Sequence, residues 1–235
     1  MNLLDIEGTT TPISFVADTL FPLARERVAP FLAAHAERPD VAEIVVDLRR
    51  AWDAEDPATR RPAAWPADSR ATGAEYALWL MASDRKLTPL KALQGLIWEQ
   101  CYRDGGLLAP VYEDVAPALE AWAARGCRAS IYSSGSVLAQ RLLFGHTTAG
   151  DLTPLLGSLF DTTIGSKRES ASYDAIALAL RAEPSKLLFV SDLVDELDAA
   201  RAAGLGTALC VRDEQPASTG GHRVVRSFAE LPPGL

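Results

Sequence analysis

Cysteine is scarce in this chain: Cys101, Cys127 and Cys210 are all there are. An odd number without metal-ligand spacing excludes a disulfide scaffold and a zinc site, and reads as buried free thiols in a reducing compartment. Positive charge is also short. Lys and Arg total 23 against 31 Asp and Glu, a net charge of -8, which argues against a nucleic-acid partner because phosphate backbones attract basic surfaces. A small phosphorylated substrate stays open, since a metal and one lysine can overcome a distant negative field. No apolar run approaches membrane-spanning length, and no basic, hydrophobic leader precedes the first strand. The expectation is a soluble, cytoplasmic chain. Its three histidines, His35, His146 and His222, stand apart, with no partner at nucleophile or metal spacing, and read as structural.

What remains is ordinary globular material: 235 residues, 48% hydrophobic and 23% charged, enough for one large domain or a core carrying an insertion. The first ten residues, M-N-L-L-D-I-E-G-T-T, form a short apolar strand that ends in Asp5, with Glu7 two residues on and Gly8 breaking the strand. Acids at i and i+2 on a strand point to the same side. From Phe15 to Ala36 the spacing is helical, with Pro22 and Pro30 expected to end or kink the pieces. Val41–Trp52, Glu75–Ala82 and Leu90–Tyr102 follow as helices, the last with Thr88 as its expected cap and Pro89 at the first helical position. The proline-rich stretch 56–69 reads as a loop, with Trp65 as a packing anchor. Trp79, Met81 and Trp98 read as core of these helices.

The pattern changes after Gly105-Gly106. Helices at 115–124, 137–144, 173–180 and 194–203 alternate with strands at 128–132, 159–164, 186–190 and 207–211. Gly126 and Gly204 stop the first and last of these helices. Alternation of this kind predicts an α/β fold, a Rossmann-like parallel sheet covered on both faces. The predicted core is 1–15 with 107–235, and 16–106 is an inserted all-helical cap domain with Gly105-Gly106 as its hinge.

Ligands of open parallel sheets bind beyond the carboxyl ends of the strands. The strand ends here offer Asp5 and Glu7, then Ser133 and Ser134, then Lys167, then Ser191 and Asp192. Those types fit phosphoryl transfer, which needs positive charge, hydrogen-bond donors and an in-line nucleophile. Asp5 and Asp192 can hold Mg2+, a hard cation that prefers oxygen. Asp5 can attack phosphorus to form an aspartyl phosphate. Ser133 and the N–H groups of Ser134 and Gly135 can donate to the phosphate, and Lys167 can neutralise both it and Asp5. Asp195 and Glu196 fit a helix start or a metal contact equally well.

The motifs D-I-E-G-T-T, S-S-G-S, Lys167 and S-D-L-V-D-E-L-D resemble the four motifs of the haloacid dehalogenase superfamily of aspartate-nucleophile phosphatases. Beyond these, D-I-E-G-T-T-T-P-I-S-F-V, L-K-A-L-Q-G-L-I-W, G-S-K-R-E-S-A-S-Y and E-L-D-A-A-R-A-A-G resemble the enolase-phosphatase E1 (acireductone synthase) family. These blocks span nearly the whole chain; Cys101 stands where that family pattern has glycine. The resemblance implies Asp5 as nucleophile and metal ligand and Asp192 as the remaining metal ligand. It also implies Glu7 as a ligand through its backbone carbonyl, with the side chain left for acid–base work. Ser133 and Ser134 become substrate contacts and Lys167 the phosphate-binding lysine. The implied substrate is 2,3-diketo-5-methylthiopentyl 1-phosphate, a small phosphorylated diketone of methionine salvage, enolised and then dephosphorylated with Mg2+; separately, the chain is expected to be a monomer. A general phosphatase of the same fold on another small ester is the alternative, and a catalytically silent binding module is a further one.

Overall fold

A computed structural model describes residues 1–56, 58–59, 65, 69–212 and 218–232. Most of the expected loop at 56–69 therefore lies outside the described residues. Two compact units emerge, Met1–Val16 with Leu107–Leu235, and Ala17–Gly106.

Chain order begins with β1 (Asn2–Leu4) and a single turn of helix, α1 (Ile13–Phe15), which runs into a π-helical turn at Val16–Leu20. The helical unit then follows as α2 (Phe21–His35), α3 (Pro39–Asp53), α4 (Ser69–Ala82) and α5 (Thr88–Arg103). Its core gathers Val28, Leu32, Val41, Leu48, Tyr76, Leu80, Leu93 and Ile97, one apolar stripe from each helix. Trp65 packs edge-on against Trp52 and Tyr76, with ring centroids 6.1 and 6.2 Å apart. Trp98 donates its indole N–H to the Leu20 carbonyl at 2.9 Å.

Pro22 lies in the first turn of α2, and Pro30 sits inside it without ending it; a helix packed along its length can absorb one missing N–H. One expectation fails in this unit. Thr88 is the first helical residue and caps nothing; Leu87 holds the extended cap position without a side-chain bond. Pro89 alone gives the start signal there.

The other unit continues with α6 (Val115–Ala124), β2 (Ala129–Tyr132), α7 (Val137–Gly145), β3 (Leu156–Phe160), α8 (Ser170–Ala179), β4 (Leu188–Ser191), α9 (Val194–Ala202), β5 (Gly206–Cys210) and β6 (Arg223–Val225). All six strands are parallel, in the order β3-β2-β1-β4-β5-β6. This is the Rossmann order, and the short first strand lies at its centre with Leu4 level with Ile131 on one side and Val190 on the other. Because the chain leaves β1 toward β2 and β3 and then returns to β4, the switch point falls between β1 and β4. One face packs Leu3, Tyr132, Tyr173, Ile176, Phe189, Leu197 and Leu209 into a continuous core.

Here β3 covers 156–160 rather than 159–164. Asp161 ends it by turning its carboxylate onto the N–H and hydroxyl of Thr163, at 2.9 and 2.5 Å, the local turn chemistry that competes with strand. Among the described residues no helix is long and apolar enough to cross a membrane.

Candidate active site

The last ladder bond of the central strand is Asp5 N–H to the Val190 carbonyl, 2.9 Å. This seats Asp5 at the strand exit, 4% exposed. The chain then tightens. The N–H groups of Thr9, Thr10 and Thr11 converge on the Ile6 carbonyl at 3.2, 2.9 and 2.9 Å, and the Thr10 hydroxyl adds a fourth bond at 3.2 Å. Gly8 makes that turn with φ +70, and a β-carbon there would lie 2.3 Å from Asp192 Oδ2. Glycine is thus required twice, by the left-handed backbone and by the carboxylate resting against it.

That double requirement makes Gly8→Ala informative. A left-handed non-glycine residue costs about 1–2 kcal/mol, and the methyl must also displace the Asp192 carboxylate. We expect a stability loss of that size, read by chemical denaturation. Phosphate release should fall about 100-fold, the effect of an ångström-scale misplacement.

Leaving β2, Ser133 gives its N–H to Phe160 at 3.1 Å, and its Oγ accepts the Gly135 N–H at 3.2 Å. The Gly135 N–H, expected to meet a phosphate, is therefore spent on orienting Ser133. With a lone pair so engaged, the Ser133 hydroxyl is set up as a donor. Buried Gln140 anchors this loop through 2.8 Å bonds to the Gly135 and Phe160 carbonyls. Ser134 is exposed. Ser136 caps α7 through Ala139 N–H at 3.3 Å, and Asp161 accepts from Val137 N–H at 3.1 Å.

The segment after β3 carries Lys167. Three consecutive carbonyls are held by hydroxyl donors: Gly165 by Tyr132 at 2.9 Å, Ser166 by Ser172 at 2.7 Å and Lys167 by Tyr173 at 2.7 Å. Gly165, at φ +140, lets Ser172 come so close that a β-carbon would overlap its Oγ at 2.2 Å. Burial holds both the Tyr132 and Tyr173 phenols above their ordinary range, so they stay protonated donors.

This cradle delivers Lys167 Nζ to 2.6 Å from Asp5 Oδ1 and 2.6 Å from Glu196 Oε2. The three side chains are 9, 6 and 8% exposed. Burial pulls the lysine down, but the charges of Asp5 and Glu196 outweigh it and hold the ammonium above its usual value. Glu196 also accepts the Ser191 hydroxyl at 2.9 Å. Burial first, then the Asp5 charge, push the Glu196 carboxyl up against the pull of Lys167. At the β4 exit Asp192 is pushed up to about 7 by burial and by the charges of Asp5 and Glu196.

Asp5, Lys167 and Asp192 therefore meet at one rim, and Glu7 and Ser133 leave neighbouring strand ends. Of the two acids left open by the sequence, Glu196 joins the cluster and Asp195 does not. Asp195 is exposed, 3.8 Å from the Arg168 guanidinium. The signal for Glu196 was its place in the first turn of α9, four residues after Asp192, where a helix brings the side chain back over the strand end.

Buried Asp5 and Glu196 share one ammonium, with half-buried Asp192 beside them, so acidic groups outnumber the cation at this rim. The donors are all oxygen, and Gly8 leaves Asp192 free to approach the backbone beyond β1. That set fits a hard divalent cation. The described residues hold no group of three or more His, Cys, Asp or Glu side chains spaced for a metal, but Mg2+ commonly takes one or two carboxylates and keeps its waters.

Residues 3–204 match the family model of the haloacid dehalogenase-like hydrolases. Enolase-phosphatase E1 of Synechococcus elongatus is 48% identical over 230 residues, covering 97% of this chain and 96% of that protein. The chain belongs to the enolase-phosphatase E1 family of haloacid dehalogenase-like hydrolases. Another member of the family, enolase-phosphatase E1 of Methylococcus capsulatus, is 49% identical over 211 residues, 90% of this chain and 88% of its own. The crystal structure of the UTR4 protein from Saccharomyces cerevisiae superposes with a TM-score of 0.81 at 34% identity, covering 98% of this chain and 99% of the yeast one.

Proposed function

We propose that this protein enolises 2,3-diketo-5-methylthiopentyl 1-phosphate and then removes its phosphate, yielding an acireductone and inorganic phosphate. The observation that supports it most is the cluster of buried Asp5 and Lys167 with half-buried Asp192 at the switch point of the sheet, in a chain 48% identical to an enolase-phosphatase E1.

Asp5 is the nucleophile. Its carboxylate attacks phosphorus, the bond from phosphorus to the ester oxygen breaks, and a proton from Glu7 goes to the leaving oxygen. Water then attacks the aspartyl phosphate, gives its proton back to Glu7, and Asp5 is regenerated with phosphate released. Lys167 and the Ser133 hydroxyl hold the phosphoryl oxygens, and Lys167 keeps Asp5 and the phosphate from repelling one another. Ser134 contacts the substrate at its exposed position. In the enolisation step Glu7 moves the carbon-bound proton. Asp5, Asp192 and the Glu7 carbonyl would hold Mg2+, whose charge neutralises developing negative charge on oxygen. In this reading residues 16–106 serve as the cap that selects the substrate. The free thiols Cys101, Cys127 and Cys210 support a reducing, cytoplasmic setting.

Two signals test the reaction. Under anaerobic conditions the diketone phosphate should produce the ultraviolet absorbance of an enediol together with phosphate. Phosphate release from other esters, with no enediol from this substrate, would leave a general phosphatase instead. Glu7→Gln should lower both enol formation and phosphate release by about 10²–10⁴-fold, the usual weight of a general acid–base group. Its Mg2+ affinity should stay near wild type, since the carbonyl is retained. Enol formation at the wild-type rate would remove Glu7 from that step.

A further inference from the structure

Three segments distant in sequence, at 112–114, Arg212 and Phe228, gather at the turn that follows Asp5. Inside the turn the N–H groups are used locally, Gly8 on the Thr11 carbonyl at 2.8 Å and Thr9, Thr10 and Thr11 on Ile6. The Thr9 and Thr10 carbonyls are met from elsewhere. Tyr112 donates its N–H to Thr10 at 3.1 Å. The Thr9 carbonyl accepts two bonds from one guanidinium, Arg212 Nε at 3.0 Å and Nη2 at 2.7 Å. The Nη1 of the same group lies 2.8 Å from both carboxylate oxygens of Asp114. Asp114 in turn accepts the Phe228 N–H at 2.6 Å. The guanidinium plane is closed between the Tyr112 and Phe228 rings, 4.3 and 4.8 Å from their centroids, and the Arg212 side chain is 7% exposed.

A buried arginine–carboxylate pair can be a mere staple, and well-packed apolar residues often serve stability as well or better. What sets this pair apart is its target. Two of its donors end on a single backbone oxygen, one residue beyond Gly8, whose backbone is the surface against which Asp192 rests. A shift of Thr9 carries Gly8 and Glu7 with it. It would thereby change the spacing between the β1 exit and the β4 exit.

We propose that Arg212, held by Asp114, is the positioning residue of the Asp5–Glu7–Gly8 turn. It fixes the backbone of Glu7 against Asp192 and so sets both the Mg2+ site and the aim of the Glu7 carboxyl. This rests on the reading of Asp5, Glu7 and Asp192 as the reacting and metal-holding groups. Lysine cannot replace the arginine: a single ammonium has no planar fork that serves Thr9 and Asp114 together.

Arg212→Lys keeps the charge and loses the fork, which makes it the diagnostic variant. Three measurements go with it: thermal stability, Mg2+ binding by calorimetry without substrate, and kcat and KM for phosphate release. Release is followed from the diketone phosphate and from p-nitrophenyl phosphate. His222→Ala serves as the stability control, because buried His222 bonds Thr207 at 2.8 Å near the opposite end of β5. Arg212→Lys should weaken Mg2+ binding and lower kcat by about 10–100-fold each, as removal of an outer-shell partner does, with KM nearly unchanged. The control should lose melting temperature and neither of the other two. Arg212→Lys with reduced melting temperature but wild-type Mg2+ affinity and kcat overturns the proposal, as does a wild-type protein that binds no Mg2+. Wild-type Mg2+ binding without phosphate release from either ester would count against the reaction assigned above, and the calorimetric comparison would still decide the role of Arg212. Should Arg212→Lys not fold, Asp114→Asn loosens the same clamp while leaving the bonds to Thr9. It should weaken Mg2+ binding in the same direction, and unchanged affinity overturns the proposal.

Discussion

Lys167→Met is expected to destabilise the fold by about 3–5 kcal/mol, the effect of leaving a buried charge without its partner, and to reduce phosphate release by about 10²–10³-fold. Methionine keeps most of the stem volume, so packing against the Tyr132 and Phe189 rings, each 6.0 Å from Nζ, is largely preserved. What is lost is the ammonium 2.6 Å from both Asp5 and Glu196. Two carboxylates then face each other in a site that already pushes Glu196 up. The sign of the pH dependence follows. A carboxyl raised in the folded state binds more protons there than in the unfolded chain, so the variant should regain stability as pH falls toward 5. The wild type should behave differently at the alkaline end. Its Lys167 is raised above 10.5 in the fold, so the stabilisation is complete below that value and is lost as pH rises through the raised one. Urea denaturation of both proteins at neutral, acidic and alkaline pH tests these signs; equal stability of the two at neutral pH would mean that the buried carboxylates do not need the lysine.

Much of this arrangement was legible in the sequence because strand ends are local. A short apolar run followed by Asp5, another followed by Ser133 and a third followed by Asp192 need only the rule that parallel sheets bind ligands at their carboxyl edges. The α/β class was legible for the same reason, from helices and strands in alternation. The strand order was not, since nothing in the residues 2–4 says that β1 lies between β2 and β4. The β3 boundary was displaced because Gly157 and Ser158 have weak strand character, while D-T-T imitates a strand but folds as a turn around Asp161. The strand β6 is R-V-V, three residues long, and carries no alternation to detect. Glu196 was visible only as one of two acids in a helix start; choosing it over Asp195 requires the rotation of α9. The clamp on Thr9 could not be read at all, because Arg212, Asp114 and Phe228 meet only once the sheet edge is closed.

Asp5→Asn should abolish activity without weakening the protein, the opposite stability outcome from Lys167→Met. The amide cannot attack phosphorus as the carboxylate does, and losing a covalent nucleophile lowers kcat by about 10⁴-fold or more. Its shape is nearly that of the carboxylate, so the β1 exit keeps its bond to Val190. Lys167 retains Glu196 at 2.6 Å and is not left unpaired. Asp192 and Glu196 lose a charge that pushes both of them up. The protein without metal should therefore melt at the same temperature or higher, a case of stability surrendered for function in the native site. Added Mg2+ should stabilise the variant less than it stabilises the wild type, because one of the two carboxylates proposed to hold the ion has gone. Thermal melts with and without Mg2+, beside a phosphate-release assay, read all three quantities. Turnover within about tenfold of wild type would exclude Asp5 as the phosphoryl acceptor. A marked drop in melting temperature without metal would instead show that the carboxylate of Asp5, and not only that of Glu196, is needed to hold the lysine.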